Sequence, residues 1–318
     1  MKGFLIVLAT VGTISLIAGG ACIAIGIHNN IQNEKVVENV HYIDDTFQNF
    51  SIDLEQANLE IKKATDDKVK VVCSDREKTY HEVSVSNNTL TIKQIDKRHW
   101  YEKYILNFGW WKNYDVTVYV PETTYGNLEA KASTGSLTLN KDFTFENAKL
   151  SSATGSVNVK ANTTESLEVK CDTGSVTLED MSAKNIKVNE HTGSVRLNRI
   201  EASGTVELHT STGSIYTNTV NCEDLKARCS TGSINLKDTI ANNSFELKAS
   251  TGSIKFDRCD AGSIEATTST GSIRGTLLSE KIFFAHSDTG SVRVPETMTG
   301  GRCKLESDTG SINIEIVA

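Results

Sequence analysis

The tripeptide Thr-Gly-Ser recurs ten times, with its glycines at Gly135, Gly155, Gly174, Gly193, Gly213, Gly232, Gly252, Gly271, Gly290 and Gly310, and successive glycines lie 19 or 20 residues apart. So narrow a period leaves few architectures open, because a repeat this short cannot bury a core alone and must stack on its neighbours. Columns counted from each glycine select among them. Apolar residues fall at −7, −5, +2 and +4, as in Leu167, Val169, Val176 and Leu178, or Ile186, Val188, Val195 and Leu197. Such alternation is a strand signal. With only 2 Pro in 318 residues, almost every backbone N–H is free to join a ladder. Each repeat therefore reads as one coil of two short strands and two corners, one of them Thr-Gly. The expected fold is all-β: a parallel β-solenoid of about ten coils, stacked about 4.8 Å apart into a rod roughly 50 Å long, with crossover chirality favouring the right hand. Propeller blades would need repeats of about 40 residues.

The outward columns carry the same register. Position −6 reads Glu129, Lys149, Glu168, Lys187, Glu207, Lys226, Glu246, Glu265, Phe284 and Lys304, a near alternation of sign from coil to coil. In a parallel stack these are vertical neighbours, and opposite charges there contribute about 0.2–1 kcal/mol each, so the column reads as stack stabilisation rather than a binding patch. Regular coils are expected over 126–318. Residues 46–125 lack the tripeptide but keep alternation, for example in Phe50, Ile52 and Leu54 and again in Val116, Val118 and Val120. They are expected to form irregular first coils and a cap, since terminal repeats must cover an open apolar end. The other end carries no such cover. Ile312, Ile314 and Ile316 finish the chain in strand pattern, which predicts an unpaired edge able to recruit another chain.

From Phe4 to Ile27 no residue is charged, and at 1.5 Å per residue that run makes about 36 Å of helix, enough to cross a membrane. A cleaved signal peptide is the competing reading, but its apolar region spans only about 7–15 residues, and this run continues through Ile23, Ile25 and Ile27. Cys22 after Gly19, Gly20 and Ala21 resembles a lipoprotein site only faintly, since the apolar run does not stop there. Lys2 precedes the span, whereas Glu34, Glu38, Asp44 and Asp45 follow it, which places residues 1–3 in the cytoplasm. The expected order is a transmembrane helix over 4–27, a linker over 28–45, and a solenoid outside the membrane in a bacterial envelope. Net charge is −7, from 33 Lys and Arg against 40 Asp and Glu, so a nucleic-acid partner is not expected.

The apolar amino-terminal run, strands of the form Phe50-Ser51-Ile52-Asp53-Leu54, the stretch Val118-Tyr119-Val120-Pro121 and the repeated Thr-Gly-Ser coils together resemble a bacterial family of domains of unknown function labelled "putative adhesin". The resemblance runs from about Phe47 to Val317. It implies an envelope-facing, adhesin-like β-solenoid, and because its motifs are structural it transfers no catalytic residue.

The candidate chemistry is sparse. Asp172, Asp288 and Asp308 each precede Thr-Gly-Ser, matching the local signature of proteases whose two carboxylates share a proton. The same column holds Ser133, Ala153, His191 and Ser211 in other coils, so Asp is one choice at a polar corner where Gly supplies positive φ. An ice-binding array is disfavoured because Gly interrupts the Thr and Ser ladder. Carbohydrate-cleaving solenoids cluster carboxylates on one face, whereas here Glu129, Lys131, Glu168 and Lys170 mix signs. Of the seven cysteines, none stands in a CxxC pair, which argues against zinc. Core-filling free thiols are expected, with a Cys222–Cys229 bridge as the weaker option. His41, His81, His99, His191, His209 and His286 are scattered, and surface positions are expected for them. One aromatic hot spot remains, a loop over 98–114 with all three Trp: Trp100, Tyr101, Tyr104, Phe108, Trp110 and Trp111. These six could contact a sugar, a lipid headgroup or a partner, or could plug the first coil.

The expected protein is thus a membrane-anchored, non-enzymatic binding or scaffolding solenoid with no catalytic, metal or cofactor site. Its partner would be the membrane through residues 4–27, and an envelope polymer, a protein, or another copy through the carboxy-terminal edge. A self-associating structural component of the envelope is the alternative, and a carbohydrate-active solenoid the third reading.

Overall fold

The computed structural model describes residues 35–66, 68–99 and 114–317 of the chain. The expected span and the six aromatic residues of the loop, Trp100 to Trp111, lie outside the described residues. Among the described residues no helix is long and apolar enough to cross a membrane, and all regular structure is β, in one 23-stranded sheet. The near end of the rod is built from β1 (Val37–Ile43), β2 (Asn49–Lys63), β3 (Val69–Asp75), β4 (Thr79–Ser86), β5 (Thr89–Asp96) and β6 (Tyr114–Val120). Regular coils follow in β7 (Thr124–Thr134), β8 (Leu137–Leu139), β9 (Thr144–Thr154), β10 (Val157–Val159), β11 (Asn162–Thr173), β12 (Val176–Ala183), β13 (Asn185–Thr192), β14 (Val195–Ala202), β15 (Thr205–Thr212), β16 (Ile215–Thr231), β17 (Ile234–Thr251) and β18 (Ile254–Thr270). The far end comprises β19 (Ile273–Leu277), β20 (Lys281–Thr289), β21 (Val292–Arg293), β22 (Gly301–Thr309) and β23 (Ile312–Ile316).

The chain forms the expected all-β parallel solenoid of about ten coils. Leu167 pairs with Ile186 and Val169 with Val188 between β11 and β13, and Val176 pairs with Val195 between β12 and β14. Equivalent columns thus lie directly over one another, and each buried Val, Leu or Ile contributes about 1.5–3 kcal/mol. The interior is wider than two strands would make it. In the coil of Gly174, Cys171, Met181 and Ala183 are buried alongside Leu167, Val169, Val176 and Leu178, so columns −3, +7 and +9 also face inward and the coil has three sides. The added corner lies six residues after the glycine, where Asp180, Arg199, Thr219, Asp238 and Arg258 all take φ between 43° and 56°. Non-glycine residues pay for that left-handed conformation, and two ion pairs between corners, Arg199 with Asp180 and Arg258 with Asp238, help to offset it.

At both ends the chain order of the coils departs from their spatial order. Near the amino terminus, β2 stacks between β5 and β7, with Phe50 opposite Leu90 on one side and Leu128 on the other. Its second half lies between β6 and β8. Beyond them the direction changes: β4 runs antiparallel to β5, β3 antiparallel to β6, and β1 antiparallel to β3. The β4–β5 hairpin turns on Asn87 and Asn88, at φ 48° and 61°, as a two-residue hairpin turn with both central φ positive requires.

At the far end, β22 lies between β18 and β20, with Lys304 opposite Glu265 and Phe284. β23 lies between β19 and β21, with Ile312 opposite Ile273 and Val292. The last coil of the sequence is therefore second to last in space. The expected unpaired edge at Ile312, Ile314 and Ile316 is corrected only in part: β21 pairs with Ile312 and Asn313, while Ile314 to Ile316 have a strand partner on the β19 side alone; the outermost strands are β20 and the short β21. The physical reason is complementarity. Against the coil of Gly271, the Gly310 coil offers buried Cys303, Leu305, Ile312 and Ile314 and sets Lys304 Nζ 3.6 Å from Glu265. The Gly290 coil would offer Phe284 and a second strand that stops before Pro295.

Candidate functional site

The Thr-Gly-Ser corners form the longest continuous feature. The Gly193 N–H donates to the Thr212 carbonyl at 2.8 Å, and the Val195 N–H to that of Ser214 at 3.0 Å, and the pattern repeats along the stack. At Gly193, φ is 153° and an added Cβ would stand 1.5 Å from the Gly174 carbonyl oxygen, so conformation and space both require glycine. Behind the corner runs an internal ladder at column −3. Ser152, Thr268 and Ser307 donate to the carbonyls of Gly135, Gly252 and Gly271 on the adjoining coil. The thiols of Cys171 and Cys229 do the same toward Gly155 and Gly213.

Glu190 breaks this column. It is 2 % exposed, accepts from Thr210 Oγ1 at 2.8 Å, and leaves Oε1 without a partner. Burial raises its pKa above the ordinary carboxylate range. All six described cysteines are free and buried, so no Cys222–Cys229 bridge is formed. Burial pushes the thiols of Cys73, Cys222 and Cys303 up to about 12, which leaves them protonated and unreactive. Asp172, Asp288 and Asp308 stand exposed at their corners.

The outward columns largely neutralise themselves. Some pairs run vertically, as Lys187 to Glu207 at 3.1 Å. Others run along one strand, as Lys131 to Glu129 at 2.8 Å and Lys170 to Glu168 at 3.1 Å. Two shallow grooves follow the third side, one beside Asn162, Ser182, Lys184 and Ser203, the other beside Asn242, Gly262, Ser279 and Gly300. Among the described residues no cluster of His, Cys, Asp and Glu could hold a metal ion.

One histidine departs from the surface placement expected of it. His81 is 3 % exposed; its Nδ1 lies 2.6 Å from Asp75 Oδ1, while Asn39 Nδ2 donates to Asp75 Oδ2 at 2.7 Å. The reason is topological, because Cys73 and Asp75 follow Val71 onto the inward face of β3, and His81 points into the same space from β4. Burial would raise the Asp75 pKa, but the His81 and Asn39 hydrogen bonds outweigh it and hold the carboxyl below its usual range.

Exposed apolar residues collect at the extremities. Of eleven large exposed hydrophobics among the described residues, Val36, Val37, Val40 and Tyr42 mark the near end, and Leu278, Ile282, Phe284, Val292 and Met298 mark the far end. Only Tyr216 and Ile240 stand between them. The far end is also where the chain crosses itself. Gly300, at φ 96°, passes so close to the segment above that an added Cβ would lie 1.8 Å from the Glu280 carbonyl oxygen. Beside it Lys281, 3 % exposed, turns inward, with Nζ 2.6 Å from Asp260 Oδ1.

The family profile of Toastrack DUF4097 matches residues 47–215 and 202–318, and the chain belongs to that family, whose domain has no assigned function. No curated protein matches the chain. Among solved structures, a "putative adhesin" of Parabacteroides distasonis is similar at 13% identity and TM-score 0.48, covering 88% of this chain and 98% of its own. A "putative lipid binding protein" of the same species is similar at 14% identity and TM-score 0.46, over 87% and 96%. A "putative adhesin" of Bacteroides fragilis follows at 14% identity and TM-score 0.40, over 89% and 97%.

Proposed function

We propose that this protein is a membrane-anchored, envelope-exposed and non-enzymatic binding or scaffolding rod, held by residues 4–27 with its solenoid outside the membrane. The observation that carries this reading is the distribution of surface chemistry. The sides of the rod are occupied by charges that pair with one another, and the exposed apolar residues are gathered at its two ends. Such a body holds one end at a fixed distance from the other. Binding then falls to the ends and to the aromatic residues Trp100, Tyr101, Tyr104, Phe108, Trp110 and Trp111. Capture from native envelopes with the full chain tests it: a polymer or protein should be retained, and Trp110→Ala with Trp111→Ala should weaken retention while the melting temperature stays. Unchanged retention removes the aromatic residues from the reading. A scaffold that associates with itself is the second reading, favoured by the uncovered strands at the far end.

A further inference from the structure

We propose that the far end of the rod is a self-association surface, at which β20 pairs antiparallel with β20 of a second copy across a twofold axis. The inference rests on the scaffolding reading and specifies its partner. β20 bonds to β22 along one side only, so the N–H and C=O groups of its other side form an open edge, the feature that recruits an added strand. On that strand Ile282 is 40 % and Phe284 54 % exposed, while the inward Phe283 and Ala285 are only half-covered.

The charge pattern selects a second copy. Column −6 carries Glu or Lys in every other repeat and Phe only at Phe284. Across a twofold axis a surface meets itself, so a charged residue near the axis would oppose its own copy. On β20 itself Lys281 is turned inward onto Asp260 and His286 contacts Asp288 at 2.9 Å, while the one cation over Phe284 is the Arg302 guanidinium of β22, 5.4 Å from its ring centre, so the aromatic face is already paired with a charge within its own copy. The adjoining edge is shorter and broken: β21 has two residues and Pro295 follows, a common protection against strand addition, and beyond it only Ile314 to Ile316 of β23 remain uncovered. Residues 278–300 supply about the 20–30 residues that one side of a standard interface uses. Pairing β20 with its own copy consumes both open edges and closes. Pairing it with β1 of another copy would leave free ends and run on as a fibre.

Sedimentation of the full chain in detergent micelles tests the proposal. The wild type is expected to form concentration-dependent dimers, and the β20 amides should exchange more slowly with deuterium at high concentration than at low. Phe284→Glu should weaken association by about tenfold or more, as loss of a central apolar anchor does, and Ile282→Lys reads the same surface from its margin. Ile240→Glu, at an exposed apolar residue midway along the rod, should leave the dimer unchanged. A monomeric wild type overturns the proposal, as does a dimer insensitive to both β20 variants. A monomer that still retains envelope material would leave the binding reading standing and remove only this one.

Discussion

At the near end the outermost parallel coil, β5 with β6, is covered by the antiparallel strands β4 and β3, whereas at the far end β20 and β21 are covered by nothing among the described residues. Both ends tuck one coil inward, β2 at one and β22 with β23 at the other, so the outermost coil is joined to the stack through chain that lies one layer further in. The difference lies in what closes the stack. A change of strand direction brings polar residues into the near end, where Asp75 takes hydrogen bonds from His81 Nδ1 and Asn39 Nδ2 across three strands and His81 Nε2 is left without a partner. The far end keeps parallel columns to its last strand and exposes Ile282 and Phe284. Covering strands make a terminus; repeated columns alone leave a surface.

The largest effect that could break this comparison is expected at the near end. Asp75→Ala removes one partner of a buried pair and should cost about 3–5 kcal/mol, read as a lower denaturant midpoint. The wild-type carboxyl is held low, so its stabilisation is complete above the ordinary carboxylate pKa and fades as pH falls through the lower folded value. A midpoint that does not fall with acid, or that Asp75→Ala leaves in place, would contradict the closed near end. Next comes the crossing. Gly300→Val forces a side chain into left-handed space already filled by the Glu280 carbonyl, and should cost about 3 kcal/mol, in the range of named severe mechanisms. Hydrogen exchange should quicken in β20 to β23 and stay unchanged in β11 to β15.

A smaller effect separates the interior from either end. Glu190 has a raised pKa, so the folded protein binds its proton more tightly than the unfolded chain. Stability is then greatest below the ordinary carboxylate range and declines as pH rises toward the folded value. The protonated side chain supplies a donor, as Ser152 and Thr268 do in the same column. Glu190→Gln should therefore stabilise the protein by about 1 kcal/mol at pH 8 and hardly at pH 4, checked by urea midpoints at both. The smallest effect is expected on the surface, where Lys187→Glu loses the contact with Glu207 and should cost under about 1 kcal/mol.

Much of the rod was legible in the sequence because the corner glycines admit no substitute and every inward column alternates from them. The added corner that gives each coil a third side was not, since Asp180, Arg199 and Thr219 share a backbone angle but no side chain. Its signal was the gap of three between inward columns +4 and +7, where a strand would keep two. Coil order was hidden for a different reason: repeats with the same columns specify how two coils register, not which two meet. One clue was present. Glu246, Glu265 and Phe284 break the alternation of column −6 in sequence order, and placing Lys304 beside Glu265 gives that glutamate a neighbour of opposite charge, although Glu246 stays on its other side. The near-end polar pair was missed because alternation over residues 69–85 shows which faces agree, not which strand supplies a partner. The aromatic residues of 98–114 lie outside the described structure and stand as a proposal.

The exchanged order of the last coils is the claim on which the far surface depends, and paired cysteines measure it directly. Glu265 and Lys304 are opposite one another on adjacent strands, about 4.8 Å apart and within disulfide reach. Glu265 and Phe284 are separated by the strand of Lys304, about 9.6 Å at that spacing. In the oxidised full chain, Glu265→Cys with Lys304→Cys should form an intramolecular bridge and Glu265→Cys with Phe284→Cys should not. The reverse result would make the Gly310 coil the tip of the rod and remove β20 as its open edge.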